Sequence, residues 1–166
     1  MDPKEKSQTR KNLDAAFAGE SMAHQKYLYF AKLARDLGDA EVAALFEDTA
    51  RQETGHAFAH LSLLYPADRL TVDQVLRLAI EGERYEHTVM YPGFEEQARR
   101  EAEGAAEREF QDQAAESKEH EARFAAMLEK ARRRFAALTQ VEKMHADRYQ
   151  SALEARQGAT AARPAA

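Results

Sequence analysis

Apolar residues recur at steps of three and four along four long stretches, and each stretch reads as an amphipathic helix. The first starts after Ser7 and runs to about Leu37, with Leu13, Phe17, Glu20, Tyr27, Phe30, Ala34 and Leu37 on one face. Gly38 followed by Asp39 is the signature of one helix ending and another being capped. The second helix runs from Ala40 to about Leu64, aligns Val42, Leu45, Phe46, Thr49, Glu53, His56 and His60, and stops at Tyr65-Pro66-Ala67-Asp68. Thr71-x-x-Gln74 is a capping-box pattern for the third, which carries Leu76, Ile80, Glu83, Glu86 or His87, Met90 and Phe94. Pro92 is expected to bend that helix, and Gly104 to end or weaken it. The last stripe is the most regular: Phe124, Leu128, Ala131, Phe135, Leu138, Glu142, His145, Tyr149 and Ala152 alternate steps of four and three. It predicts one helix from about Lys118 to Ala155 with Ser117 as N-cap. The end of the chain, QGATAARPAA, predicts disorder, giving a helical domain over 1–157 and a tail over 158–166.

What interrupts the apolar stripes is acidic and imidazole. LDAAFAGE, ending at Glu20, returns as LRLAIEGE, ending at Glu83, 63 positions later, and points to an internal repeat. Glu53-x-x-His56 and Glu142-x-x-His145 each place a carboxylate and an imidazole one turn apart on one helix face. Glu20, Glu83 and Glu86 add carboxylates from the other helices. Acids and imidazoles converging from four helices are what a carboxylate-bridged metal pair requires. Burying so many acids unpaired is very unfavourable, and two divalent cations remove that penalty. With no thiolate in the set, iron or manganese is favoured over structural zinc. A lone Glu-x-x-His is common on solvated helices; two copies with two inward Gly-Glu pairs are not. His24, His60 and His87 lack that support and read as neighbours of the site or surface residues, and Tyr27 and Tyr91, by themselves, as ordinary aromatics.

Composition narrows the picture. The 166 residues suit one domain, and few Gly (7) and Pro (4) beside 32% charged residues suit long helices. The chain has no Cys, which excludes a disulfide framework and any thiolate-held iron module within it. No apolar window approaches the length of a membrane span, and the first residues carry no apolar leader, so a cytoplasmic protein without membrane contact is expected. The net charge of −5, with basic residues interleaved among acidic ones, argues against a nucleic-acid partner; Arg132 to Arg134 reads as a solvated face.

These motifs resemble the rubrerythrin family. NLDAAFAGESMAHQKYLYFAKLA with LFEDTARQETGHA is similar to that family's first helix pair, AIEGERYEHTVMYPGF to its third helix and FAALTQVEKMHADRY to its fourth, together covering most of residues 10–155. The resemblance implies an all-α, ferritin-like four-helix bundle with Glu20, Glu53, His56, Glu83, Glu86, Glu142 and His145 as ligands of two iron ions, manganese being the alternative. It also implies that Glu86 exchanges with His56 on one iron upon reduction, and that Tyr27 and Tyr91 lie beside the metals. The implied activity is reduction of hydrogen peroxide to water, a non-haem di-iron peroxidase acting in oxidative stress. With no cysteine-ligated module in the chain, electrons are expected from a separate donor protein or small reductant. Ferroxidase or iron handling is the rival enzyme class, and a metal-free helical scaffold the non-enzymatic one.

Two departures from the family pattern matter. Between Met90 and Phe135 the chain is about 25 residues longer, and FQDQAAESKEHEARF forms a near-copy in which His120 matches His145 while Ser117 replaces the glutamate, with Glu116 and Glu119 beside it. A turn at Gly104 would bring Glu116 or His120 level with Glu86; the unbroken stripe, on the other side, favours Glu142 and His145, with the turn near Ser117. The latter pair is the preferred expectation. Secondly, the link Tyr65 to Thr71 spans at most ~27 Å, short of a second helix ~37 Å long. A domain-swapped homodimer is therefore expected, each bundle built from helices one and two of one chain and three and four of the other.

Overall fold

The computed structural model describes residues 7–161, the side chains of 157–161 excepted. Every regular element among these residues is helical, and the chain divides into two compact units, Met1–Leu70 and Thr71–Ala166.

The first unit is a hairpin of α1 (Gln8–Asp36) and α2 (Ala40–Leu64). The first helix starts after Ser7 as expected, the Ser7 hydroxyl accepting from Arg10 N, and the expected Asp39 cap forms, its carboxylate accepting from Val42 N. Between the helices Gly38 takes φ +88°, and Gly38 N donates to Arg35 O while Asp39 N donates to Ala34 O, a Schellman closure. The seam is narrow and built on small residues. Ala31, Ala34 and Ala43 are buried with Phe46 packed against them, and Phe46 takes Phe30 edge-on at 5.6 Å and Tyr27 at 5.9 Å between ring centres. Small side chains at the contact let the helix axes approach closely, so the opposite arms stay in register.

The second unit is a hairpin too, with one irregular arm. Its first arm is helical without interruption as α3 (Val72–Tyr85), a π turn over Glu86–Met90, and α4 (Tyr91–Arg100). The Thr71–Gln74 capping box forms as expected. The irregularity expected at Pro92 takes the form of that π turn: Tyr91 N donates to Glu86 O, one residue beyond the α spacing. A proline ring crowds the carbonyl four residues earlier, and the widened turn relieves it just before Pro92.

Two sequence-based boundaries are corrected. The third helix ends at Arg100 rather than at Gly104; the left-handed residue of the turn is Ala102, at φ +59°, with Ala102 N donating to Arg99 O and Glu103 N to Ala98 O. The last helix starts much earlier than Lys118, because α5 runs from Gly104 to Ala161, 58 residues. Ser117 is therefore not an N-cap but a buried mid-helix residue. Its hydroxyl donates to a carboxylate across the hairpin, so it needs no free backbone N–H to satisfy. Helical backbone through Ala161 also continues α5 into the stretch expected to be disordered, and residues 162–166 lie outside the described residues. Ile80, Ala98, Leu128 and Ala131 are buried in this unit, and Phe110 packs against Phe94 at 5.5 Å and Tyr91 at 6.4 Å. Asp73, near the start of α3, is held by Arg132 of α5 at 2.5 Å.

Candidate metal centre

In an antiparallel hairpin, residues equally far from the turn face each other. Glu20 lies 18 residues before Gly38 and His56 lies 18 after it, which brings α1 and α2 donors to one level. Glu20, Glu53 and His56 each offer a ligand atom within 4.8 Å of the others, as a cation-binding group must. His56 Nδ1 donates to Glu53 Oε2 at 2.9 Å, and this imidazole, working against partial burial, holds the Glu53 carboxyl below its usual range. A carboxylate kept ionised beside an exposed imidazole and a second carboxylate suits a hard divalent cation.

The other α1 and α2 candidates sort by their partners. His60 Nε2 stands 4.0 Å from Glu20 Oε1, at the margin of the cluster. His24 Nδ1 donates to Ala50 O at 2.8 Å and lies 3.2 Å from Thr54 Oγ1, which ties it to the α2 backbone. Tyr27 is half-buried two turns along α1 from Glu20, against Phe46.

In the second unit the same count from Ala102 sets the level. Glu86 is 16 residues before it and Ser117 15 after; Glu83 is 19 before and His120 18 after. The contacts follow: Ser117 Oγ donates to Glu86 Oε2 at 2.9 Å, and His120 Nδ1 stands 3.5 Å from Glu83 Oε2. Glu83 and His120 also line an open groove with Leu76, Arg123, Phe124 and Met127. Tyr91 sits among these acids; burial, then the charges of Glu86 and Glu83, push its phenol above the ordinary tyrosine value, so it keeps its proton. Glu116 and Glu119 are exposed.

The hairpin does not bring Glu142 and His145 to Glu83 and Glu86. The expectation that it would do so required a turn near Ser117, and the turn forms at 101–103 instead. From His120 to His145 is about 37 Å along α5. Both residues are exposed, beyond the Asp73–Arg132 pair that marks where α3 begins.

Of two further contacts in the second unit, the sequence showed Ser117 only as the replacement for a glutamate and gave no sign of Glu121. Ser117 faces Glu86 where the family-like copy would have a carboxylate. Glu121 receives His87 Nε2 at 2.6 Å on one oxygen, and Arg84 Nε and Nη2 at 2.8 and 2.6 Å on the other. These donors hold the Glu121 carboxyl below its usual range, His87 first and Arg84 next. The signal for both was the hairpin register, which depends on where the turn falls.

A family model described as Rubrerythrin matches residues 11–128, a span that includes His120 and ends before Glu142. Rubrerythrin of Porphyromonas gingivalis is 37% identical over 133 residues, covering 74% of this chain and 66% of that protein. A putative rubrerythrin of Methanocaldococcus jannaschii is 33% identical over 141 residues, covering 73% of this chain and 69% of the relative. A solved structure of nigerythrin in its fully reduced, all-ferrous state aligns at 32% identity and a TM-score of 0.38, covering 78% of this chain and 70% of that one. The chain thus spans about two thirds of the length of the relatives it matches. With every regular element among the described residues helical and the family match over most of its length, the chain belongs to the rubrerythrin family, in the all-α, ferritin-like four-helix class.

Proposed function

We propose that this protein is a di-iron peroxidase that reduces hydrogen peroxide to water, and the observation that carries the proposal is the Glu20, Glu53 and His56 cluster. Three donors cannot hold two cations, so Glu83 and Glu86 complete the carboxylate set in the proposal. For the fourth helix two donor sets compete. Glu142 with His145 preserves the full motif; His120 has the hairpin register in its favour, standing beside Glu83 with Ser117 on Glu86. The register argument is the stronger of the two, because it rests on contacts rather than on motif likeness.

Two ferrous ions, when bound, supply the two electrons that convert one peroxide and two protons into two waters. The chain's own residues do the remainder. Glu53 is kept ionised by His56 and is ready to accept a cation without first losing a proton. Tyr91, whose proton is held tightly, is a hydrogen-bond donor toward an oxygen ligand or a neighbouring carboxylate; Tyr27 is assigned the same role on the first hairpin. The sequence contains no Cys, so electrons re-enter from a centre outside these 166 residues, on a donor protein or small reductant. No described helix is long and apolar enough to cross a membrane.

Anaerobic loading followed by stopped-flow mixing tests the reading. About two ferrous ions per chain and reoxidation much faster by peroxide than by oxygen are expected. Faster reaction with oxygen, together with accumulation of ferric mineral, would replace it with iron handling. Failure to bind iron at all would leave a metal-free scaffold. The homodimer with exchanged helix pairs belongs to the same proposal, on the short Tyr65–Thr71 link. An iron-loaded species sedimenting as one chain would remove it.

A further inference from the structure

Beyond Ala131, α5 changes character. Up to that point its seam is covered within the second unit: Phe124 is half-buried, and Leu128 and Ala131 are buried. From Arg132 to Arg156 every residue is exposed, yet the seam continues with the same alternating steps of four and three through Phe135, Leu138, Glu142, His145, Tyr149 and Ala152. Phe135, Leu138 and Tyr149 are 48%, 53% and 75% exposed. A helix projecting about 36 Å with an apolar seam gains little by itself, because helical stability in proteins comes mainly from packing such a face.

We infer that this projecting arm pairs antiparallel with the same arm of a second copy of the chain. The occupant follows from the seam itself. An even alternation of three and four is the spacing of a two-stranded coiled coil, and it continues, without a break in phase, a seam that already packs helix on helix. Placing a two-fold axis midway between Glu142 and His145 sets Glu142 against His145 of the second copy, Leu138 against Tyr149, and Phe135 against Ala152. Acid meets imidazole and the larger rings meet smaller side chains, and the symmetry makes each contact twice. Parallel pairing would instead stack Glu142 on Glu142 and Phe135 on Phe135, with like charges opposed in the centre. One acid–imidazole layer within an apolar seam also fixes register, since any slip buries Glu142 against an apolar residue.

The inference does not depend on the metal or on peroxide. The absence of Cys from the sequence makes cross-linking a clean test. Full-length chains carrying Leu138→Cys and chains carrying Tyr149→Cys, co-produced with different tags and oxidised in the presence of chelator, are expected to join as a mixed disulfide. Neither variant alone should form one, because its two thiols would be separated along the arm. Self-linked species, or none in the mixture, would overturn antiparallel pairing. Independently, Phe135→Glu added to both cysteine-bearing chains is expected to abolish the mixed disulfide with iron content unchanged, whatever else holds the two copies together. A mixed disulfide that persists would show that the seam does not join the arms, and would overturn the inference. Loss of iron together with the disulfide would also overturn it, by tying the arm to the metal centre.

Discussion

The two hairpins are closed by the same device and differ in what lies beyond it. Each uses a Schellman turn with one left-handed residue, Gly38 in the first and Ala102 in the second. In the first, arms of 29 and 25 residues come out nearly even, and every acid on one arm has a level on the other. In the second, a first arm of about thirty residues faces a helix of 58, so the long helix contains two His-bearing segments and only the nearer one has an arm to face. Motif likeness ranks the two segments one way and turn position the other. The position of a hairpin turn, not the quality of a motif, decides which side chains can meet.

The comparison breaks most sharply at the metal. His56→Ala and His120→Ala are each expected to weaken ferrous binding by roughly tenfold or more, measured anaerobically by competition with a chelator, while His145→Ala leaves it unchanged. The reverse ranking of His120 and His145 would show that the far segment is the ligand-bearing one. Next comes the first turn, where any Cβ at φ +88° is strained: Gly38→Ala should cost about 1–2 kcal/mol in urea unfolding of the metal-free protein. Ser117→Ala leaves a half-buried Glu86 carboxylate without its donor and should cost about 1 kcal/mol in the same assay. Ala102→Gly runs in the opposite direction, relieving the second turn by up to about 1 kcal/mol, because there an alanine already occupies the left-handed position. If the two turn substitutions shifted stability in the same direction, the closures would not be equivalent.

The smallest effect concerns where the second hairpin ends. Arg132, then Arg77, hold the Asp73 carboxyl at about 2 against an ordinary 3.8. A depressed carboxylate contributes stability above its unfolded value and loses it as the pH falls toward its folded value. The tie between the start of α3 and α5 should therefore weaken between about pH 4 and pH 2, by a small amount because both partners are exposed. Metal-free Asp73→Asn protein should show less of that decline in circular dichroism melts than the unsubstituted chain.

Much of this was legible residue by residue. Asp39 and the Thr71–Gln74 box cap the helices they were expected to cap, and the first helix starts after Ser7 as expected, because a cap is a contact within four residues. The Glu53–His56 pair forms because i,i+3 residues share a helix face whatever the helix packs against. Other features were not legible. Ala102 lacks the glycine signature of a helix end, so the turn was expected at Gly104 or near Ser117. That displacement changed the partner of Glu86 from a distant glutamate to Ser117, and it hid the salt-bridged Glu121 behind an unremarkable run of charges.

The sequence alone therefore determined what is local: four amphipathic stretches, the starts of the first three, and the donor types that belong to a carboxylate and imidazole metal site. Tertiary structure alone decided which donors stand level across each hairpin and where α5 outruns its partner. The reason is geometric. Along a helix each residue advances 1.5 Å, so moving a turn by about fifteen residues shifts one arm by more than 20 Å while leaving every local pattern intact.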